Sequence, residues 1–218
     1  MTNEELSRYT DSAFNELGSF KVPPVFAPPL DLEDGMTLPE PTLKAVRAFM
    51  TNTDTRVLDR PGLYIFGGPG VGKTRLAHII SYRLLYDRYE EMKNGHRLYP
   101  RKAASFYSVN NILRREKRDF DLSLEYRVGL VNEILENPPR ILILDDIGAE
   151  KATDWAVETL FVIINDRYEK MLPTIYTSNL SLQQLGETLG DRIASRIAGS
   201  CALIDLGNKD RRVEPAKK

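Results

Sequence analysis

The sequence predicts an α/β fold in which a mostly parallel sheet of five strands is flanked by helices. Short apolar runs alternate along the chain with longer segments whose apolar residues recur every three or four positions. One of these runs is apolar without interruption, which is typical of a parallel strand buried on both faces. Strands that alternate with helices favour a parallel sheet with right-handed connections. The five strand-like runs occupy residues 63–66, 105–109, 141–146, 174–177 and 202–206.

The first predicted strand leads into a glycine-rich segment that is followed by a helical pattern. The segment fits G-x-x-x-x-G-K-[ST], the pattern of a phosphate-binding P-loop, and the strand and helix on either side disfavour a chance match. Glycines let the backbone curl around phosphate oxygens, and a helix N-terminus favours an anion. Lys73 is expected to reach the β- and γ-phosphates of ATP, and the Thr74 hydroxyl to ligate Mg²⁺. The predicted phosphate-binding residues of this P-loop NTPase core are Gly67, Gly68, Pro69, Gly70, Val71, Gly72, Lys73 and Thr74.

Two acidic residues follow the uninterrupted apolar run at residues 141–144. Asp145 is expected to hold the Mg²⁺ shell from the carboxyl end of its strand, where ligands bind in α/β sheets. The alternative for Asp145 is a helix-capping role. Asp146 is the candidate base that orients the attacking water, and Glu150 is a less favoured substitute.

The segments between the strands are predicted to be helical. One helix follows Pro41, another begins near Ser123 and ends before Pro138, and a third opens at Thr153 or Asp154. The third helix is expected to bury Trp155, Leu160, Ile163 and Ile164. His78 and His96 lie at no metal-ligand spacing and are interpreted as structural.

Composition limits the class of protein. The net charge of −1 gives no global basic field, so any nucleic-acid binding must come from a local patch. The single cysteine, Cys201, excludes an internal disulfide and a cysteine-based zinc module, which favours a reducing, cytoplasmic setting. The polar start of the chain is unlike a signal peptide, and no apolar run reaches the length of a membrane span. We therefore expect a cytoplasmic protein with no membrane contact.

The chain is predicted to have three parts. Residues 1–40 combine a short amphipathic helix with a proline-rich stretch and form an arm or linker, which either packs on the body or binds a partner. Residues 41–212 form the ATPase domain, and residues 213–218 are a tail. Only twelve residues follow Leu206, so no C-terminal helical lid domain is expected.

Four motifs in fixed order resemble AAA+ ATPases of the initiator clade. They are the P-loop, Leu-Asp-Asp-Ile-Gly-Ala-Glu at 144–150, Tyr-Thr-Ser-Asn at 176–179 and Asp-Arg-Ile-Ala-Ser-Arg-Ile at 191–197. The chain resembles the DnaC/DnaI-type helicase loaders in particular and is also similar to the IstB transposition ATPases. The resemblance implies an ATPase of DNA replication that binds single-stranded DNA and a replicative DnaB-type helicase. The alternatives are an IstB-like helper of a transposase and, less favoured, a metabolic P-loop kinase.

The same resemblance implies roles for three further residues. Asn179 matches sensor 1, which hydrogen-bonds the γ-phosphate and the water, and the alternative is an asparagine in a turn after a strand. Arg196 matches the arginine finger that reaches the ATP of a neighbouring subunit, which implies self-assembly. Arg192 lies one helical turn earlier on the same face, and surface charge is the alternative for both. Arg212 matches sensor 2, but Arg211 replaces the tyrosine of the loaders, and a basic tail is the alternative.

A local cluster of basic residues is the candidate DNA-binding patch. Cations for phosphates with aromatic residues for stacking suit single-stranded DNA. Interspersed acids dilute the charge, so a solvated helix face is the alternative. The patch comprises Arg114, Arg115, Lys117 and Arg118, and it lies between Tyr107 and Phe120.

Overall fold

The computed structural model describes residues 38–52, 60–93, 104–120 and 129–210. The helices in these ranges are α1 (Glu40–Asn52), α2 (Lys73–Lys93), α3 (Val109–Phe120), α4 (Leu130–Glu136), α5 (Asp154–Glu169), α6 (Leu182–Leu189) and α7 (Asp191–Ser200). The strands are β1 (Gly62–Phe66), β2 (Ala104–Ser108), β3 (Ile141–Asp145), β4 (Thr174–Ser178) and β5 (Cys201–Asp205).

The five strands form one sheet in the order β2-β3-β4-β1-β5. All four described strand pairs are parallel, which confirms the predicted α/β architecture. Each of the five strands differs from its predicted range by one residue at one or both ends. Val109, which we assigned to β2, begins α3 and is fully buried there, because packing overrides the β propensity of valine. The carboxyl ends of β1, β3 and β4 lie side by side at one edge of the sheet.

Alternate strand residues contact two separate hydrophobic layers. On β3, Leu142 and Leu144 pack on one face of the sheet, whereas Ile141 and Ile143 pack on the other. The face that includes Ile141 and Ile143 is covered by α1 and α2, and the opposite face is covered by α3 to α7. The period of two along a strand thus explains why a continuous apolar run was needed at β3.

The helix α5 begins as predicted, but its first aromatic residue is not buried. Thr153 is the N-cap, and its side chain accepts a hydrogen bond from Ala156 N at 3.3 Å. Trp155 is 44% exposed, so the prediction that it is buried was wrong. The buried stripe runs through Ala156, Leu160, Ile163 and Ile164, and residue 155 lies about 100° away from it around the helix.

A buried arginine joins three separate segments beneath the sheet. Arg167 of α5 is 1% exposed, and its guanidinium donates to Thr174 Oγ1 at 2.7 Å and to Pro173 O at 2.6 Å. A further bond, 3.2 Å long, reaches Pro139 O before β3. Burial lowers the pKa of Arg167 to about 10, which leaves the group charged near neutral pH. These contacts fix the starts of β3 and β4, and no pattern in the sequence analysis predicted them.

Several predicted features lie outside the described residues. They include the arm at 1–37, the start of the helix predicted from Ser123, His96, and both Arg211 and Arg212. Within the described ranges α4 begins at Leu130 after Gly129, and no helical domain follows β5. His78 is buried and stacks on Phe106 with ring centroids 4.4 Å apart, which is consistent with a structural role. None of the described helices combines the length and the apolar character that crossing a membrane requires.

Candidate nucleotide-binding and hydrolysis site

The P-loop joins β1 to α2, as its sequence context predicts. Gly67, Gly70 and Gly72 have positive φ angles of 143°, 73° and 101°, which residues other than glycine rarely adopt. The loop can therefore curl tightly before α2 starts at Lys73. Amide groups in the first turn of a helix have no partner within the helix, so this turn is suited to phosphate oxygens.

Lys73 is buried against the loop from which it projects. Its Nζ donates to Gly67 O at 2.9 Å and to Gly68 O at 2.7 Å. These two bonds fix the ammonium beside the curled backbone. A positive charge held there adds to the field of the helix N-terminus and favours a polyphosphate.

A single carboxylate oxygen connects the P-loop to the middle of the sheet. Asp145, the last residue of β3, accepts a hydrogen bond on Oδ1 from Thr74 Oγ1 at 2.9 Å. The same oxygen accepts from Thr177 Oγ1 of β4 at 2.6 Å. Thr177 was missed in the sequence analysis, although it stands within the Tyr-Thr-Ser-Asn motif. The structure thus brings the two predicted metal ligands into direct contact.

The chemistry of Thr74 and Asp145 fits a magnesium ion. Hydroxyl and carboxylate oxygens are hard donors, and Mg²⁺ is usually held by one or two such groups together with waters and substrate phosphates. Among the described residues no cluster of three or more acidic, histidine or cysteine side chains could hold a metal alone. A magnesium ion here would therefore depend on the nucleotide for further ligands.

Asp146 and Asn179 meet beside this pair. Asn179, just after β4, donates from Nδ2 to Asp146 Oδ1 at 3.1 Å, and Asp146 N donates to Thr177 Oγ1 at 2.9 Å. The backbone of Asp146 is left-handed, with φ of 61°, which aspartate and asparagine tolerate better than most residues. Burial raises the pKa of Asp146, the charge of Asp145 raises it further, and Lys73 opposes the shift. The site therefore holds a carboxylate that is more basic than usual.

The Glu150 side chain forms a hydrogen bond within the turn that follows β3. Its Oε2 accepts from Gly148 N at 3.0 Å, while its other carboxylate oxygen, Oε1, is buried and has no hydrogen-bond partner in the described part of the chain. Burial is the main cause that raises the pKa of Glu150, and the backbone bonds oppose it. Since Glu150 closes the turn, Asp146 is the better candidate for the base.

The two predicted arginines share one face of α7, as their spacing requires. The Arg192 and Arg196 Cζ atoms lie 3.9 Å and 4.8 Å from the ring centroid of Phe161 on α5. Arg196 Nε also donates to Asn165 Oδ1 at 2.5 Å. We call this part of α5 and α7 the arginine surface. Its described contacts are with α5, and the role of Arg196 as a finger stays a prediction.

A short segment after β5 lies against the P-loop. We call residues 206–210 the strap. Gly68 N donates to Gly207 O at 2.8 Å, and a methyl group on Gly67 would lie 2.5 Å from that same oxygen. A methyl group on Gly70 would overlap the Asp210 carboxylate. The strap therefore brings an acid to the phosphate loop, and the sequence analysis did not anticipate it.

The predicted basic patch divides into two parts. Arg115 and Arg118 lie 3.9 Å and 3.6 Å from the carboxylate of Asp119 on the same helix. Arg114 and Lys117 instead line a groove of about 490 Å³ between α3 and the start of α5. Other residues that line this groove are Asn110, Asn111, Glu150, Lys151 and Trp155.

Comparison with known proteins agrees with this geometry. Residues 53–214 match the family described as IstB-like ATP-binding protein. The replicative helicase loader DnaI of Bacillus subtilis is 30% identical over 165 residues, which are 69% of this chain and 47% of the relative. A putative ATP-binding protein of insertion sequence IS5376 from Geobacillus stearothermophilus is 30% identical over 165 residues, which are 75% of this chain and 57% of the relative. The chain thus spans about half the length of these two relatives.

Solved structures extend the likeness to the fold. The crystal structure of the DnaC helicase loader is 26% identical, with a TM-score of 0.59 over 84% of this chain and 94% of that one. The crystal structure of DnaI has a TM-score of 0.63 at 24% identity, over 88% and 95% of the two chains, and it supports the fold alone. The P-loop, the strand-end aspartate and the sheet order agree with an ATP-binding domain of the AAA+ class, and the match over residues 53–214 shows that the chain belongs to the IstB-like ATP-binding proteins.

Proposed function

We propose that this chain is an ATP-dependent loader that binds Mg²⁺-ATP, single-stranded DNA and a replicative DnaB-type helicase. The observation that supports the ATP-dependent part most strongly is the bond of 2.9 Å between Thr74 and Asp145, because it joins the phosphate loop to the end of β3. The similarity to DnaI and to the DnaC structure supports the loader part. The second candidate is an ATPase helper of a transposase, which the match to the IS5376 protein favours.

The P-loop holds the nucleotide in this proposal. Amide groups at the start of α2 bind the phosphate oxygens, and the Lys73 ammonium contacts the β- and γ-phosphates. Thr74 and Asp145 hold Mg²⁺, which when bound neutralises charge on the phosphates. Thr177 orients the Asp145 carboxylate through its bond of 2.6 Å.

Asp146 then acts on the water. Its carboxylate accepts a proton from the water as the water oxygen bonds to the γ-phosphorus. The bond between the γ-phosphorus and the bridging oxygen breaks, and ADP and phosphate result. The raised pKa of Asp146 suits it to accept a proton, and Asn179, 3.1 Å from Oδ1, holds the carboxylate in place and is near enough to orient the water.

Hydrolysis is completed by a neighbouring subunit in this proposal. Negative charge spreads over the transferring phosphoryl group, and an arginine supplied in trans stabilises it. Arg196 is partly buried and lies on the arginine surface with a planar guanidinium, which suits phosphate oxygens. The protein therefore assembles with further copies of itself when it turns over ATP.

Single-stranded DNA binds the groove between α3 and α5. Arg114 and Lys117 supply cations for phosphates, and the half-exposed Trp155 supplies a surface on which a base stacks. Arg115 and Arg118 contribute less, because the Asp119 carboxylate offsets their charge. Of the four cations in the predicted patch, Arg114 and Lys117 are therefore the two that we expect to contribute most to DNA binding.

A binding experiment with purified partners tests the proposal. The chain is mixed with a hexameric replicative helicase, with ATP and with a fluorescent DNA single strand, and complexes are separated by size. We expect a ternary complex that requires ATP and is lost with Lys73→Ala. Lys170→Ala is the matched control, since Lys170 pairs with Asp166 on the surface of α5, at 2.6 Å. Association with a transposase and duplex DNA, without the helicase, would favour the second candidate.

A further inference from the structure

Glu150 belongs at the same time to the turn of the hydrolysis site and to the wall of the groove. The residue is only 8% exposed, yet its Oε1 atom has no hydrogen-bond partner among the residues that the structure describes. A buried polar atom without a partner is costly and requires an explanation. Its carboxylate is therefore held in an incompletely satisfied position between two candidate binding regions.

On the catalytic side, Glu150 closes the turn that carries Asp146. Gly148 N donates to Glu150 Oε2 at 3.0 Å, and Ala149 N donates to Asp146 O at 3.4 Å. Asp146 itself has a left-handed backbone, with φ of 61°, and the start of the turn is tied to β4 by bonds of 2.9 Å from Asp146 N to Thr177 Oγ1 and from Ile147 N to Thr177 O. A displacement of the Glu150 carboxylate would pull on the other end of this turn through Gly148 N.

On the other side, Glu150 lines the groove together with Trp155 and the cations Arg114, Lys117 and Lys151. Because phosphates are negatively charged, a carboxylate among these cations does not strengthen the binding of the DNA backbone. A nucleobase stacked on Trp155, however, presents amino groups that donate hydrogen bonds, and a carboxylate oxygen accepts them. A base bound in the groove could therefore donate a hydrogen bond to Glu150 Oε1.

We propose that Glu150 is a positioning residue that couples occupation of the groove by single-stranded DNA to the placement of Asp146. A base amino group that bonds Oε1 pulls on the Glu150 carboxylate while Gly148 N still bonds Oε2, and the turn shifts Asp146 toward the water. Hydrolysis of ATP then rises when DNA is bound. The inference rests on the proposed DNA-binding function of the groove.

The test measures the ratio of ATPase rates with and without single-stranded DNA. Couplings between two sites are typically about 5- to 150-fold, so we expect a wild-type ratio of at least about fivefold. In Glu150→Gln the amide oxygen can still accept from Gly148 N, but the amide nitrogen cannot accept from a base. We expect its ratio to fall to about one, with the change in kcat and not in the KM for ATP. A merely structural role would alter both rates together and leave the ratio unchanged.

Two further variants complete the experiment. Glu150→Ala removes both bonds, and its ratio should also be about one, whereas Glu158→Gln changes an exposed acid of α5 and should keep the wild-type ratio. Fluorescence anisotropy measures DNA affinity for each variant, and thermal unfolding checks the fold. A wild-type protein that fails to bind DNA overturns the proposed function of the groove. DNA that binds without changing the wild-type rate, or a Glu150→Gln protein with the wild-type ratio, overturns the coupling alone.

Discussion

The nucleotide pocket and the arginine surface differ in how completely one chain assembles them. In the pocket, Thr74 and Thr177 both donate to Asp145, at 2.9 Å and 2.6 Å, so α2, β3 and β4 are joined within the subunit. On the arginine surface, Arg192 and Arg196 lie over Phe161 of α5, at 3.9 Å and 4.8 Å. A single chain therefore brings together the predicted nucleotide-binding groups, whereas the described contacts of the two arginines are with α5 and α7. Nucleotide binding and hydrolysis should respond differently to mutation and to mixing.

Mixing two inactive variants should give the largest effect. Arg196→Ala should bind ATP normally but hydrolyse it about 10³- to 10⁵-fold more slowly, the contribution of an arginine supplied in trans. Lys73→Ala should fail to bind ATP while keeping its arginine surface. An equimolar mixture should recover part of the activity, because some interfaces then pair an intact pocket with an intact finger.

Steady-state ATPase, measured with single-stranded DNA present so that subunits assemble, provides the measurement. If the mixture remains inactive where wild type assembles and turns over, Arg196 does not act in trans. The arginine surface would then be ordinary surface charge.

Removing the candidate base should separate binding from chemistry inside the pocket. Asp146→Asn keeps the size of the side chain and is tolerated at positive φ, so the turn should persist. The rate of hydrolysis should fall about 10²- to 10⁴-fold, the usual contribution of a general base, with little change in ATP affinity. Single-turnover ATPase and equilibrium binding of a fluorescent ATP analogue measure the two quantities. An unchanged rate would exclude Asp146 as the base and make Glu150 the next candidate.

Neutralising Asp210, the acid of the strap, should strengthen ATP binding modestly. Asp210 lies against Gly70 of the phosphate loop, and its negative charge opposes an incoming polyphosphate. A like charge about 4 Å away in water costs about 1 kcal/mol, so Asp210→Asn should bind ATP about fivefold more tightly. The gain should shrink at high salt, since screening weakens the repulsion. Glu187→Gln, an exposed acid on α6, is the control, and an unchanged or weaker ATP affinity in Asp210→Asn would contradict the prediction.

The division of the basic patch predicts the smallest effect. Each phosphate contact removed should lower the slope of log affinity against log salt by about 0.7 for single strands. Arg114→Ala with Lys117→Ala should lower the slope by about 1.4, and Arg115→Ala with Arg118→Ala by much less. Affinity for a fluorescent DNA single strand at several salt concentrations measures both. Equal slopes for the two double variants would show that the groove does not select between these cations.

Much of the pocket could be predicted because its determinants are local. The P-loop is one continuous segment, and strand β3 ends at Asp145, so both could be placed at the sheet edge without coordinates. Thr177 could not be assigned, because its role depends on β4 lying beside β3, and that neighbour relation is not encoded in any short segment. The contact of Asp210 with Gly70 has the same origin, since about 140 residues separate the two along the chain.

Helical periodicity separates some of the cations in the basic patch of α3 but not all of them. Arg114 and Lys117 are three residues apart and share one face of α3, whereas Arg115 and Asp119, four residues apart, share another. Arg118 is four residues from Arg114, so periodicity alone does not separate these two arginines. The expected burial of Trp155 was wrong because this residue lies outside the apolar stripe of α5.

The left-handed backbone at residue 146 also limits which amino acids the position accepts. Aspartate and asparagine are enriched at such φ angles, since their short polar side chains bond the local backbone. A glutamate at this position would have to adopt the same backbone at a cost of about 1 kcal/mol or more. Replacing Asp146 by the longer acid therefore changes the turn before it changes the chemistry. Substitution tolerance at this position is set by the backbone angle, and the shorter carboxylate of this chain matches it.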